Sequence, residues 1–195
     1  GGGSIAYQSN RDNVWAVYVY DLATKTETRL TELTQPATDP IYGNGGSLIA
    51  YRLEQPDGKI VIMVMQEDGS KPQAISEPAD EARSTAWYFD DTLLAYQSDL
   101  DGDLDIYVYD FESGKTRKLT DNTVADYAPT WPCGKKDVIF TSDVLGNADI
   151  FRAGALPIDA LPLDVPESAE QLTGSEATDR SPLGAPTNEN AEQGE

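Results

Sequence analysis

Four aspartates stand at alternate positions within the segment SDLDGDLDIYVYD, residues 98–110: Asp99, Asp101, Asp103 and Asp105. Ca²⁺ prefers oxygen ligands, so closely spaced carboxylates are candidate metal ligands. The segment departs from the helical calcium-binding loop, because Leu104 stands at its sixth position and Asp110 at its twelfth, where glycine and glutamate are required. The alternative is a solvated hairpin tip in which Asp101-Gly102 sets the turn. The sequence leaves two possibilities open, a Ca²⁺ site on these four aspartates or a structural turn without a cofactor.

The residues required for nucleophilic catalysis are missing from the sequence. The chain contains no histidine, which excludes a Ser-His-Asp triad, a Cys-His pair and the usual imidazole zinc sites within its 195 residues. Cys133 is the single cysteine, and Lys135 and Lys136 beside it could lower its pKa, but no histidine base can activate it. Asp21 and Asp110 each precede a turn and are expected to cap backbone N–H groups. We therefore predict no catalytic residue and no enzymatic activity in this chain.

The chain is strongly acidic, with a formal net charge of −20 from 34 acidic and 14 basic side chains. Such a surface repels phosphate backbones and anionic membranes and attracts cations or basic proteins. No apolar run approaches the roughly 18 to 20 residues that cross a bilayer. We expect a basic protein as partner, and neither nucleic-acid binding nor membrane insertion.

The sequence repeats itself about every 44 residues. The first apolar residue of each copy is Ile5, Ile49, Leu94 and Val138, with intervals of 44, 45 and 44. A Leu-Thr or Ile-Ser pair ends each copy, and aromatic residues precede the later copies at a constant distance: Tyr42, Trp87 and Trp131. Recurrence at the repeat period predicts that these aromatic residues pack between repeats rather than bind a ligand.

Each repeat contains four short predicted strands. In the third repeat they cover 84–88, 93–97, 105–110 and 115–120, divided by the turns Asp90-Asp91, Asp101-Gly102 and Ser113-Gly114. Strands such as AVYVY and VIMVM are apolar on both faces, so other sheets must cover them on both sides. Sheets of four strands that stack in this way around an axis are β-propeller blades. We predict an all-β fold, a β-propeller of four-stranded antiparallel blades with about four blades.

The predicted propeller covers residues 1–183, and its repeat units are 1–37, 38–81, 82–126 and 127–178, followed by a strand of the first type at 179–186. The fourth unit carries a Pro-rich insertion, and 187–195 is an acidic polar tail expected to be disordered. The first unit lacks its first strand. Two arrangements follow: the N- and C-terminal strands close a four-bladed ring, or another chain or further blades complete a larger ring. Gly184, where the other units have Tyr or Trp, favours the second.

The segments PTWPCGKKDVIFTSDVLGNADIF (129–151) and LAYQSDLDGDLDIYVYDFESGKTRKLT (94–120) resemble the TolB-type propeller repeat. This repeat occurs in periplasmic scaffold proteins and in the propellers of prolyl-oligopeptidase-like enzymes. The resemblance implies a non-catalytic scaffold for protein–protein interaction in the periplasm or outside the cell. One alternative is the propeller domain of a larger hydrolase or peptidase. The other is a structural subunit of a multichain assembly or homo-oligomer. Bound calcium on the aspartates stays open in each case.

Overall fold

A computed structural model describes residues 3–132, 135–160, 162, 165, 168–174, 177–180 and 182. The described residues form fifteen β-strands and no helix. Cys133, Gly184, most of the predicted strand at 179–186 and the predicted tail at 187–195 lie outside the described residues. The prediction of an all-β fold is confirmed.

The strands form four antiparallel sheets in chain order, which we call blades 1 to 4. Blade 1 consists of β1 (Ser4–Ser9), β2 (Ala16–Asp21) and β3 (Thr26–Arg29). Blade 2 consists of β4 (Ala37–Tyr42), β5 (Leu48–Glu54), β6 (Ile60–Gln66) and β7 (Gln73–Ala74). Blade 3 consists of β8 (Ala82–Trp87), β9 (Leu93–Ser98), β10 (Asp105–Asp110) and β11 (Lys115–Lys118). Blade 4 consists of β12 (Asp126–Thr130), β13 (Asp137–Ser142), β14 (Asp149–Gly154) and β15 (Glu170–Gln171).

The strands agree with the predicted ones to within two residues at each end. In blade 3 the third strand coincides with the prediction, the first begins two residues earlier, and the fourth ends at Lys118. Asp91, Gly102 and Gly114 have positive φ angles of 59°, 122° and 67°, as tight turns between antiparallel strands require. Turn chemistry therefore determines where these strands end.

Each blade packs face to face on the next, as the strands with two apolar faces predicted. The side chains of β10 alternate between neighbours: Tyr107 and Tyr109 pack towards blade 2, and Ile106 and Val108 pack towards blade 4. The cores between blades 2 and 3 and between blades 3 and 4 contain Trp87 and Trp131 respectively. The recurring aromatic residues in these two blades are core residues, as predicted.

The recurring aromatic and threonine residues also form hydrogen bonds to the backbone. The Trp131 indole Nε1 donates to the carbonyl oxygen of Ala86 in the preceding blade (2.9 Å), and Trp87 Nε1 donates to that of Ile41 (3.3 Å). Within blades, the Thr31, Ser76, Thr120 and Thr173 hydroxyls accept the backbone N–H at the start of a third strand (2.9–3.0 Å). These bonds explain why a hydroxyl residue ends every repeat.

A β-bulge interrupts the first strand of each complete blade at the same place. Asp39 and Ala128, at the bulges of β4 and β12, have φ angles of 51° and 53°. The bulge exposes a backbone N–H that a glutamine of the preceding blade satisfies: Gln8 Oε1 accepts from Asp39 N (2.5 Å) and Gln97 Oε1 from Ala128 N (2.9 Å). The sequence analysis did not predict these bulges.

The ring is not closed by the described residues. The strand β1 lies at the edge of its sheet, and β2 is its one strand neighbour in the described part of the chain. Ile5 is 50% exposed, whereas Ile49, Leu94 and Val138, its equivalents in the other blades, are 0% exposed because the preceding blade covers them. After blade 4, Asp179 N donates to Ala148 O as Asp126 N donates to Leu104 O after blade 3. The backbone hydrogen bond that precedes the first strand of blade 4 therefore recurs after blade 4.

Candidate functional site

The four predicted aspartates do not converge on one point. Asp99 Oδ1 accepts a hydrogen bond from the backbone N–H of Glu81 (2.7 Å), which links the β9–β10 loop to the start of blade 3. Asp103 Oδ2 is buried and has no hydrogen-bond partner. Asp101 and Asp105 do come together, and they do so with Asp121, which the sequence analysis missed: one carboxylate oxygen of each lies within 4.8 Å of the others.

The Lys118 ammonium lies among these three carboxylates. Its Nζ atom is 2.9 Å from Asp105 Oδ2 and also forms ion pairs with Asp101 and Asp121. Lys118 is placed there by the β10–β11 register, which sets it opposite Tyr107. A side-chain cation thus occupies the position that a metal ion would take.

Burial controls the protonation of this cluster. Asp105 has no exposed surface, and burial raises its pKa to about 7 against the opposing effects of Lys118 and Thr120. For Lys118, burial acts to lower the pKa, but hydrogen bonds to Asp101, Asp121 and Asp105 outweigh it and raise the pKa. Lys118 therefore remains charged, and it stabilises the ionised form of a carboxylate that burial disfavours.

A second buried carboxylate lies at the junction of blades 3 and 4. Asp126, the first residue of β12, has no exposed surface, and burial raises its pKa to about 6. Its Oδ2 atom accepts a hydrogen bond from Asn122 Nδ2 (2.8 Å), while Oδ1 is buried without a partner. The cost of an unpaired buried oxygen explains the direction of the pKa change.

A groove between blades 2 and 3 has a volume of about 850 Å³, and we call it the blade 2–3 groove. Tyr96, Tyr107 and Tyr109 line it from blade 3, and Leu53 and Met63 line it from blade 2. Lys118 also lines it, so the groove and the aspartate cluster are adjacent.

The first strands of blades 2, 3 and 4 line a smaller cavity of about 400 Å³ on the inner side of the arc. Its lining is mostly aliphatic or small, with Ile41, Ala86, Ala128 and Pro129 among the contributing residues. The converging carboxylates of Asp101, Asp105 and Asp121 do not line this cavity.

The remaining residues singled out in the sequence have structural roles or lie outside the described part. Asp21 Oδ1 accepts hydrogen bonds from the N–H groups of Ala23 and Thr24 (2.8 Å each), and Asp110 Oδ1 accepts one from Glu112 N (3.0 Å). Both therefore cap turns, as predicted. Cys133 lies outside the described residues.

The architecture just described is shared with solved β-propellers, although no protein-family model matches the sequence. The chain is similar to a putative TolB from Agrobacterium tumefaciens, with a TM-score of 0.67 and 21% identity over 88% of this chain and 59% of that one. TolB from Acinetobacter baumannii gives a TM-score of 0.67 and 16% identity over 93% and 44% of the two chains. The β-propeller domain of the Trilobed protease from Pyrococcus furiosus, which has an open velcro topology, gives 0.64 and 16% over 88% and 54%.

These similarities show the fold of the chain, a β-propeller with TolB-like repeats. The chain spans about half the length of these structures, which accords with the open ends of the ring. In the described part of the chain, no helix is long and apolar enough to cross a membrane.

Proposed function

We propose that this chain is a non-catalytic β-propeller scaffold that mediates protein–protein interaction, in the periplasm or outside the cell. The observation that carries the proposal is the uncovered face of blade 1. Ile5 is half exposed there, whereas its three equivalents are fully buried by a preceding blade. Further blades of the same protein or another polypeptide cover an exposed propeller face of this kind.

The net charge of the chain favours a basic protein as the partner. With a net charge of −20, the surface attracts basic proteins, and association with them weakens as salt rises. The similarity to TolB structures supports a location outside the cytoplasm, since periplasmic scaffolds use this repeat.

Native mass spectrometry and pull-down from a native extract test this function. We expect a protein partner to be retained at low salt and released at high salt, and Ile5→Asp to reduce its recovery. Free monomer alone at micromolar concentration, with no retained partner, would count against a scaffold.

A second candidate is the propeller domain of a larger hydrolase or peptidase. The specific observation in its favour is the similarity to the propeller of the Trilobed protease, together with the coverage of about half of the related chains. A metal-dependent active site in the channel would need converging carboxylates there, and the described carboxylates that converge lie elsewhere. Hydrolytic activity of the full-length protein on peptide substrates would favour this candidate.

A further inference from the structure

The blade 2–3 groove exists because the outer edge of blade 2 is short. Its fourth strand, β7, contains two residues, whereas β11 of blade 3 contains four. After β7 the chain continues through the exposed residues Glu77 and Pro78, which border the groove. The volume of about 850 Å³ lies in the range of sites that hold several side chains or a small ligand.

The groove combines aromatic walls with negative charge. Glu77 contributes one carboxylate from blade 2, and the Lys118 ammonium of blade 3 is balanced by its three aspartates. Burial raises the pKa of Tyr96 and Tyr107, with smaller contributions from Glu77 to Tyr96 and from Asp101 to Tyr107. The carboxylates of Glu77 and Asp101 thus act on the hydroxyls of Tyr96 and Tyr107, and they give the groove a negative field.

We propose that the blade 2–3 groove binds a lysine or arginine side chain from an extended segment of a basic partner protein. The proposal rests on the proposed scaffold function and adds, beside the blade 1 face, a second contact site for the same partner. The aliphatic stem of such a side chain packs against tyrosine rings and Met63, while its cationic head reaches the Glu77 carboxylate at the border of the groove. An acidic or neutral segment gains the apolar contact but not the electrostatic attraction.

A pair of matched peptides tests the proposal on the intact chain. The probe is an acetylated and amidated pentapeptide, Gly-Ile-Arg-Ile-Gly, and its control has citrulline, which is uncharged, in place of arginine. In calorimetric titrations at low salt, we expect the arginine peptide to bind at least about five-fold more tightly than the citrulline peptide. Equal binding of the two peptides, or no binding of either, would overturn the proposal.

Two groove variants with controls in blade 1 locate the binding. Ala74 is exposed and lines the groove, so Ala74→Trp fills it without altering the core and should abolish peptide binding. Glu77→Gln removes one carboxylate and should weaken binding about three-fold. The controls are Glu32→Trp and Glu32→Gln at an exposed position of the blade 1 to blade 2 connection. If neither groove variant changes the affinity for the peptide, the site lies elsewhere and the proposal is overturned.

The outcomes also separate this proposal from the scaffold function. A protein partner retained equally by the unmodified chain and by Ala74→Trp would support the scaffold and overturn the groove as its site. Peptide binding lost in Ala74→Trp, without any retained protein partner, would support the groove and count against the scaffold.

Discussion

The Lys118 ammonium lies 2.9 Å from Oδ2 of Asp105, a side chain with no exposed surface. The two residues come from neighbouring strands of blade 3, and their ion pair neutralises a carboxylate that would otherwise be charged inside the protein. The same ammonium holds Asp101 and Asp121, so one side chain ties the β9–β10 loop to the connection between blades 3 and 4.

Removing this ammonium should destabilise the fold. We expect Lys118→Met to lower the free energy of unfolding by about 3 kcal/mol at pH 8, because Asp105 must then take up a proton or remain charged without a partner. Urea denaturation measures the change. The double variant Lys118→Met/Asp105→Asn should recover most of the loss, while Lys115→Met, at an exposed site of the same strand, should stay within about 0.5 kcal/mol of the unmodified chain. An equal loss in the single and the double variant would contradict this role of Lys118.

Calcium binding should depend on the absence of Lys118. We expect Lys118→Ser to leave three carboxylate oxygens free to bind Ca²⁺, so that Ca²⁺ raises the Tm of this variant by mass action. In the unmodified protein the ammonium competes for the position, and Ca²⁺ should have little effect on the Tm. If Ca²⁺ instead stabilises the unmodified protein and Asp99→Asn abolishes the effect, the site predicted on Asp99, Asp101, Asp103 and Asp105 is correct.

The stability contributed by Asp126 should fall as pH rises. Its pKa is about 6 in the folded protein and about 3.9 in an unfolded chain, so the folded form retains its proton while the unfolded form loses it. The contribution of Asp126 to the free energy of unfolding is complete below pH 4 and is lost as pH rises towards about 6. We expect Asp126→Asn to gain about 2 to 3 kcal/mol relative to the unmodified chain between pH 4 and pH 8, as an order of magnitude.

Urea denaturation across this pH range measures the Asp126 effect. Asp57→Asn, at an exposed turn, is the matched control for replacing a carboxylate by an amide. A constant difference in stability between Asp126→Asn and the unmodified chain would mean that burial does not raise the pKa of this carboxyl.

The open face of blade 1 predicts unequal costs for two equivalent isoleucines. In this chain, Ile49→Ala should cost about 3 kcal/mol of unfolding free energy, and Ile5→Ala less than about 1 kcal/mol, since half of the Ile5 side chain is already exposed. When further blades or a partner cover blade 1, the cost of Ile5→Ala should approach that of Ile49→Ala. Equal costs in the chain alone would show that this face is already covered in solution.

The sequence predicted the propeller well because the residues that make the same contact in successive blades recur at a fixed period. Three sets of residues each mark a contact that recurs from blade to blade: Ile49, Leu94 and Val138; Tyr42, Trp87 and Trp131; and the Leu-Thr or Ile-Ser pairs. This one repeat pattern predicts the strand order, the turns and the two buried faces of each blade.

The site was harder to predict because its members do not recur. The aspartates at 99 to 105 appear in one repeat, and alternate positions along a loop and a strand do not reveal which carboxylates face each other. Lys118 and Asp121 join Asp101 and Asp105 through the β10–β11 register and the start of the next repeat. Spacing within one segment could not show that convergence, although the position of Lys118 in the predicted strand next to the one that Asp105 begins was available as a clue.

The glutamine and tryptophan bonds between blades have a consequence for how such proteins change in evolution. Their acceptors and donors on the neighbouring blade, Ala86 O and Ala128 N among them, belong to the main chain. Because these bonds reach main-chain atoms, they do not depend on which side chains the neighbouring blade has at these points. Gene duplication can therefore lengthen the array by whole units, and curvature rather than surface matching then limits how many units one circle holds.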